Sequence, residues 1–318
     1  MRIIRRLAVV SMLAGAGASA AATEQATNDT IVVRGTPIDP SQARQRAVDF
    51  VKRTGVANGQ QQVARWVVPV CIKIIGLSTA QAARVEGLML DIALEANMPV
   101  AKQGCEPNVT VSFAADAGQV VRQIYSRKPR QLDELSRAEK ERILKGSAPV
   151  RWWYATEMVD RDGVKANNIS APWLSSGGGA GLQGTGADPV SLPTFDGVTT
   201  TQQYNSGSNV RTPTVRSLYG ATVVVDATRA GKTSIDAIAA YAAMVAFAEM
   251  NASAPPTDSI LGLFQPESIE TALTDWDLAF LKSLYRMPLD RRSRIQRGHL
   301  VEALLDERLP DKKKAKER

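Results

Sequence analysis

Between residues 162 and 214 the chain loses the apolar periodicity that it keeps on either side. Gly, Ser, Thr, Asn and Pro dominate there, and Ser175-Ser176-Gly177-Gly178-Gly179-Ala180-Gly181 lies within the run. Such a composition buries too little apolar surface to offset the entropy of ordering it. The chain is therefore expected to fold as one domain whose halves, 41–161 and 215–309, pack together around a long flexible central insertion. A glycine-rich phosphate cradle needs a strand before it and a helix after it, and this run has neither.

The flanking halves carry readable elements, and an apolar fraction of 44% is enough for a core. Ser41 opens a helix to about Lys52, with Ala43, Ala47, Val48 and Val51 on one face. Residues 62–76 read as one long strand or a strand pair. Ser78 caps a helix to about Ala96 that turns Val85, Leu88, Ile92 and Ala93 inward. Asn108 to Phe113 alternates as a strand, Asp116 starts a helix to about Arg127, and Leu132 to Lys145 is a charged surface helix. Val150 to Met158 is a further strand carrying Trp152, Trp153 and Tyr154. Those aromatics either line a carbohydrate groove or divide between core and edge, because successive strand residues face opposite ways.

In the second half Ala221 to Asp226 is a buried strand, and Thr233 to about Glu249 is a long apolar helix. Ser259 to Phe264 is a short apolar turn. Thr274-Asp275-Trp276-Asp277 has capping-box spacing and starts a helix to Met287 whose inner face is Leu278, Leu281, Leu284 and Tyr285. A last helix runs from about Arg292 to Leu309. The expected fold class is α+β, a small mixed sheet with flanking helices.

Residues 1–22 have the three parts of a secretory signal: Arg2, Arg5 and Arg6, an apolar stretch from Leu7 to Leu13, and Ala18-Ser19-Ala20 at the cleavage site. That stretch is shorter than the roughly 20 apolar residues that span a bilayer, and no later segment reaches spanning length. No Cys follows to carry a lipid. Arg5-Arg6 hints at twin-arginine export, but the surrounding residues fit a general signal better. Residues 23–40 form an extended polar linker. The mature chain is expected in the periplasm or outside the cell, without a transmembrane segment. In that oxidising setting Cys71 and Cys105 read as a structural disulfide.

The formal charge is +7, and three arginines leave with the signal, so +4 remains. From Lys282 to Arg318 there are 12 Lys and Arg against 6 Asp and Glu, ending in a basic tail at 310–318. No aromatic residue interleaves the tail to stack on bases, so it reads as a solvated terminus and no nucleic-acid partner is expected.

Several chemistries are excluded. Gly231-Lys232-Thr233 matches the end of a phosphate-binding loop, but Asp226 stands where its first Gly belongs, and a carboxylate there repels phosphate. The single His, His299, cannot build a zinc set or a Cys–His pair, and no G-x-S-x-G elbow exists. No metal or cofactor is expected. Asp226, Glu249, Asp275 and Asp277 formally offer paired carboxylates. Strand ends, helix ends and N-terminal capping account for them equally, so no catalytic residue is assigned.

From Ala221 to Met287 the outline resembles the C-terminal half of a zincin-type metalloprotease: a strand, a helix where the zinc motif would lie, a turn and a closing helix. Ser259-Ile260-Leu261 stands where such proteins have a Ser-Ile-Met turn, and Leu273 to Tyr285 resembles their closing helix. The whole mature chain is similar to secreted proteobacterial proteins of unknown function, through Pro69-Val70-Cys71, Cys105-Glu106-Pro107-Asn108-Val109 and Tyr241-Ala242-Ala243-Met244-Val245-Ala246. Ile238 to Ala248 contains no His and no acid, and Tyr241 alone has a polar side-chain atom. The resemblance therefore implies a zincin-like scaffold without the metal.

The expected function is that of a non-catalytic exported protein binding an envelope protein or polymer. The alternative is a secreted hydrolase whose carboxylate or Ser chemistry leaves no motif. A deep cleft holding a buried acid of raised pKa favours the second, and a shallow apolar patch favours the first.

Overall fold

The computed structural model describes residues 42–133, 135–160, 211–212, 214–251, 254–266 and 268–309. The expected signal peptide, linker and basic tail, and almost all of the central insertion, lie outside the described residues.

The sheet is organised by its longest strand, β5 (Val215–Asp226), whose Val223, Val224 and Val225 are wholly buried. β4 (Val150–Val159) runs antiparallel along one edge of β5 over its length, from Val159↔Val215 to Val150↔Val225. The other edge of β5 takes two parallel partners in succession. β1 (Arg65–Trp66) meets Ser217 and Leu218, and β3 (Val109–Ala114) meets Ala221 to Asp226. β2 (Ile72–Ile75) then pairs in parallel with β3. The stretch 62–76 is thus two short strands, and Pro69, which has no N–H for a ladder, lies between them.

The small mixed sheet flanked by helices is as expected. The order of elements adds that helices and strands interleave along the chain. A parallel pair needs a long crossover connection, and α2 (Thr79–Glu95) supplies it between β2 and β3. Ser78 and Gln81 close a capping box at its start. The Cys71–Cys105 disulfide ties the entry of β2 to the loop before β3. Closing a loop across 34 positions stabilises by about 3–4 kcal/mol in the chain-entropy account.

Helices cover both faces. α2 packs against α6 (Ile235–Phe247), capped by Ser234, and every α6 residue from Ala237 to Phe247 is buried. α1 (Ala43–Thr54), α7 (Asp275–Arg286) and α8 (Ser293–Arg308) complete that side, where Phe50 stacks on Trp276 and contacts Phe280. On the other face α3 (Ala117–Arg127) and α4 (Arg137–Lys145) shelter a second core of Ala117, Val121, Leu132, Ile143, Trp153 and Val224. The charged stretch from Leu132 is helical only from Arg137, where Ser136 and Glu139 form a capping box, after a 3-10 turn at Pro129–Leu132. A four-residue helix, α5 (Ala227–Ala230), follows β5 directly.

The three aromatics of β4 divide as strand geometry demands. Trp152 and Tyr154 enter the main core, Trp153 enters the second, and all three are buried.

Candidate functional site

A helix end buried in a core leaves its last carbonyls without partners unless side chains supply them. α6 ends in that situation, and aromatic donors from three elements resolve it. Trp66 Nε1 donates to Ala246 O at 2.9 Å, and Tyr285 Oη donates to Phe247 O at 2.7 Å. Tyr154 Oη lies 2.6 Å from Val245 O and 2.9 Å from Ala248 O, and accepts from Met250 N at 3.0 Å. Trp152 Nε1 reaches Met250 O at 3.2 Å. Burial pushes the phenols of Tyr154 and Tyr285 well above their ordinary range. These side chains hold backbone; they do not act as acids.

Beside this cap lies a cleft of about 740 Å³. Its floor is β4, through Trp152, Trp153, Tyr154, Thr156 and Met158. Leu135, Glu139 and Arg142 form one wall, with Arg142 5.7 Å above the Trp152 ring. The opposite wall combines the loop from Gly55 to Gln62 with Glu249, Met250 and Asn251. Gly55 ends α1 at φ 73°, and a β-carbon on it would lie 2.8 Å from Asn251 O, so only glycine allows the two parts of that wall to meet.

Among the described residues the cleft holds one close ion pair. Arg216, near the start of β5, grips Glu249 with both terminal nitrogens, Nη2 lying 2.7 Å from Oε1. Arg216 Nη2 also donates to Thr156 Oγ1 at 3.2 Å, linking β5 to β4. Met158 is 42% exposed on the floor. β4 pairs with β5 along one edge.

The acids singled out in the sequence are dispersed. Glu249 alone lines the cleft. Asp226 ends β5 as a buried cap, accepting from Arg229 N at 2.9 Å and Ala117 N at 3.2 Å. Asp275 pairs with Arg308 at 3.2 Å. Asp277 is buried and accepts from Ser259 Oγ, Ile260 N, Thr274 N and Thr274 Oγ1 at 2.5–3.0 Å. Burial raises its carboxyl to about 6 against the pull of those bonds. It is a buried acid of raised pKa, but it fastens a turn to a helix and does not line this cleft. His299 lies on α8, half-buried. Among the described residues no group of three or more His, Cys, Asp or Glu is placed to hold a metal. No described helix is long and apolar enough to cross a membrane.

Sequence reasoning passed over Arg216, Arg142 and the loop from Gly55 to Gln62, which line the cleft. No protein-family model matches the chain, and no curated protein or solved structure is significantly similar to it.

Proposed function

We propose that the chain is a non-catalytic, exported protein of the cell envelope that binds a polypeptide segment in extended conformation along β4. The cleft over β4 carries this reading, because it sets aromatic rings, the exposed Met158 and the Arg216–Glu249 pair side by side along one strand. An extended segment lying in such a groove presents its own backbone donors and acceptors at a regular spacing, so its recognition does not demand a particular sequence. Met158 and the Trp152 ring supply apolar contact, and the Arg216–Glu249 pair offers both charges to side chains of the incoming segment. The disulfide supports an oxidising compartment. The metal-free zincin-like scaffold is part of the same proposal. It is supported by the succession of β5, α6, turn and α7, and by the bond from Ser259 to Asp277, which joins two of the motifs that carry the resemblance.

The test is fluorescence anisotropy of labelled, unstructured decapeptides against the whole chain, each paired with copies N-methylated at alternate backbone nitrogens. One methylation register is expected to weaken binding about tenfold, the equivalent of one good hydrogen bond. Equal binding of both registers and the unmodified peptide sinks the extended-segment reading. Cleavage of a bound peptide transfers the site to the hydrolase alternative.

A further inference from the structure

The far end of β5 holds a second arrangement, away from Arg216. β3 and β5 are adjacent and parallel, and the helices that follow them leave to opposite faces, α3 toward Trp153 and Val224 and α6 toward α2. Such a divergence opens a crevice at the carboxyl ends of the strands, where open α/β sheets take ligands. Arginines from three elements meet there: Arg122 on α3, Arg151 on β4 and Arg229 on α5. A β-carbon on Gly118 would lie 3.0 Å from Arg122 Nη1, 3.1 Å from Arg151 Nη1 and 3.1 Å from Asp116 Oδ1. A side chain there would push these groups apart, so glycine lets two guanidinium groups converge, with Asp116 Oδ1, over the positive first turn of α3.

Arg151 is the unusual member. It is 6% exposed, and Nη2 donates to Gly146 O. Its Nε and Nη1 are buried and have no hydrogen-bond partner among the described residues. A guanidinium cannot escape by losing its proton, so those donors call for an acceptor. The nearby acids, Asp226 and Asp116, act on these arginines through space, but neither accepts from Nε or Nη1 of Arg151. Asp226 is committed to two backbone N–H groups and sits 3.5 Å from Arg229 Nε. Asp116 caps Gln119 N at 3.1 Å and reaches Arg122 only at 3.9 Å. Three guanidinium groups face two carboxylates, leaving one positive charge over.

We propose that this crevice binds an oxyanion of the phosphate class, held by Arg122, Arg151 and Arg229. A tetrahedral oxyanion offers enough acceptor oxygens for forks arriving from three directions, whereas a carboxylate offers two. The exposed Arg122 and Arg229 side chains close over the anion, and Arg151 supplies the buried donors beneath it.

The whole chain is titrated with inorganic phosphate against chloride at matched ionic strength, reading the melting temperature. Cosedimentation with vesicles containing phosphatidylglycerol, and with phosphatidylcholine vesicles alone, distinguishes a free anion from a lipid headgroup. A saturable rise in melting temperature is expected, or retention on the anionic vesicles only. Either signal should weaken about tenfold or more in Arg122→Gln, Arg151→Gln and Gly118→Ala. Arg122 is exposed, so its variant keeps the test valid if Arg151→Gln fails to fold. Absence of both signals overturns the proposal. So does binding unchanged in Arg122→Gln and Gly118→Ala, which is the response of a basic surface without a built site.

Discussion

On one face of the sheet α6 lies against the strands with every residue from Ala237 to Phe247 buried, while on the other α3 and α4 shelter a second core of six buried residues. The apolar face carries most of the hydrophobic burial, and α6 has no ionisable side chain from Ala237 to Phe247 other than Tyr241. The opposite face keeps three arginines around one buried turn. Stability and charge have been placed on different sides of the same strands. The cleft opens at the border between them, where β4 contributes residues to both cores. Buried polar groups of the apolar side such as Asp277, Tyr154 and Gln296 are bonded to backbone, with Trp276 Nε1 an exception, whereas the buried cation of the other side, Arg151, keeps two unbonded donors among the described residues.

The largest test of this comparison removes one large side chain from each core. Phe280→Ala empties a site wholly buried against Phe50, and a loss of about 3–5 kcal/mol is expected in denaturant unfolding. Leu132→Ala, equally buried in the second core, is expected to act locally. Its signature is faster hydrogen exchange in α3 and α4 with β5 and α6 still protected. Exchange in α6 that rises as much as in α3 breaks the comparison, because the two faces then unfold as one unit.

What was legible in the sequence was local. Ser78, Asp116 and Thr274 announce helix starts through side chains that bond backbone only three residues on, so a short window contains both partners. Ser136 and Glu139 carry the same signal, hidden by reading the stretch from Leu132 as one helix. The disulfide followed from there being two cysteines. The aromatic cap of α6 was not legible, because Trp66 and Ala246 are 180 positions apart and Trp152 and Met250 are 98 apart. Arg216 and Glu249 meet only once β5 and the end of α6 are folded together. Arg151, among the aromatics of a strand, gives no sign that its donors are buried. Periodicity tells which side of an element faces inward, and says nothing about which distant element arrives there.

A somewhat smaller effect sharpens the claim that buried acids of the apolar side serve structure. The Asp277 carboxyl is raised to about 6, chiefly by burial, whereas an unfolded Asp titrates near 3.9. The folded state therefore holds its proton to higher pH than the unfolded state. The stability this proton contributes is fully present below about pH 4 and is lost as pH rises through 6. The difference amounts to about 3 kcal/mol. Unfolding free energies of wild type and Asp277→Asn, measured from pH 4 to 7.5, should converge as pH rises. A constant gap shows that the hydrogen bonds from Ser259, Ile260 and Thr274 keep the carboxylate ionised, and that burial does not dominate.

The smallest expected effect falls at the border itself. Tyr154→Phe keeps the ring in the core and removes only the hydroxyl that accepts from Met250 N and meets the carbonyls of Val245 and Ala248. Met250 N is then left without its acceptor at a buried helix end, a cost of roughly 1–3 kcal/mol. Because that hydroxyl joins the cleft floor to the end of α6, the loss should appear as faster exchange of the Met250 and Asn251 amides, which belong to the cleft wall. The same variant should weaken peptide binding at β4, since the wall that the segment packs against is no longer fixed. If stability falls while the Met250 amide stays protected, another group has taken over the bond. The cleft wall is then held by the apolar core alone, and the border between the two faces lies further out along β4.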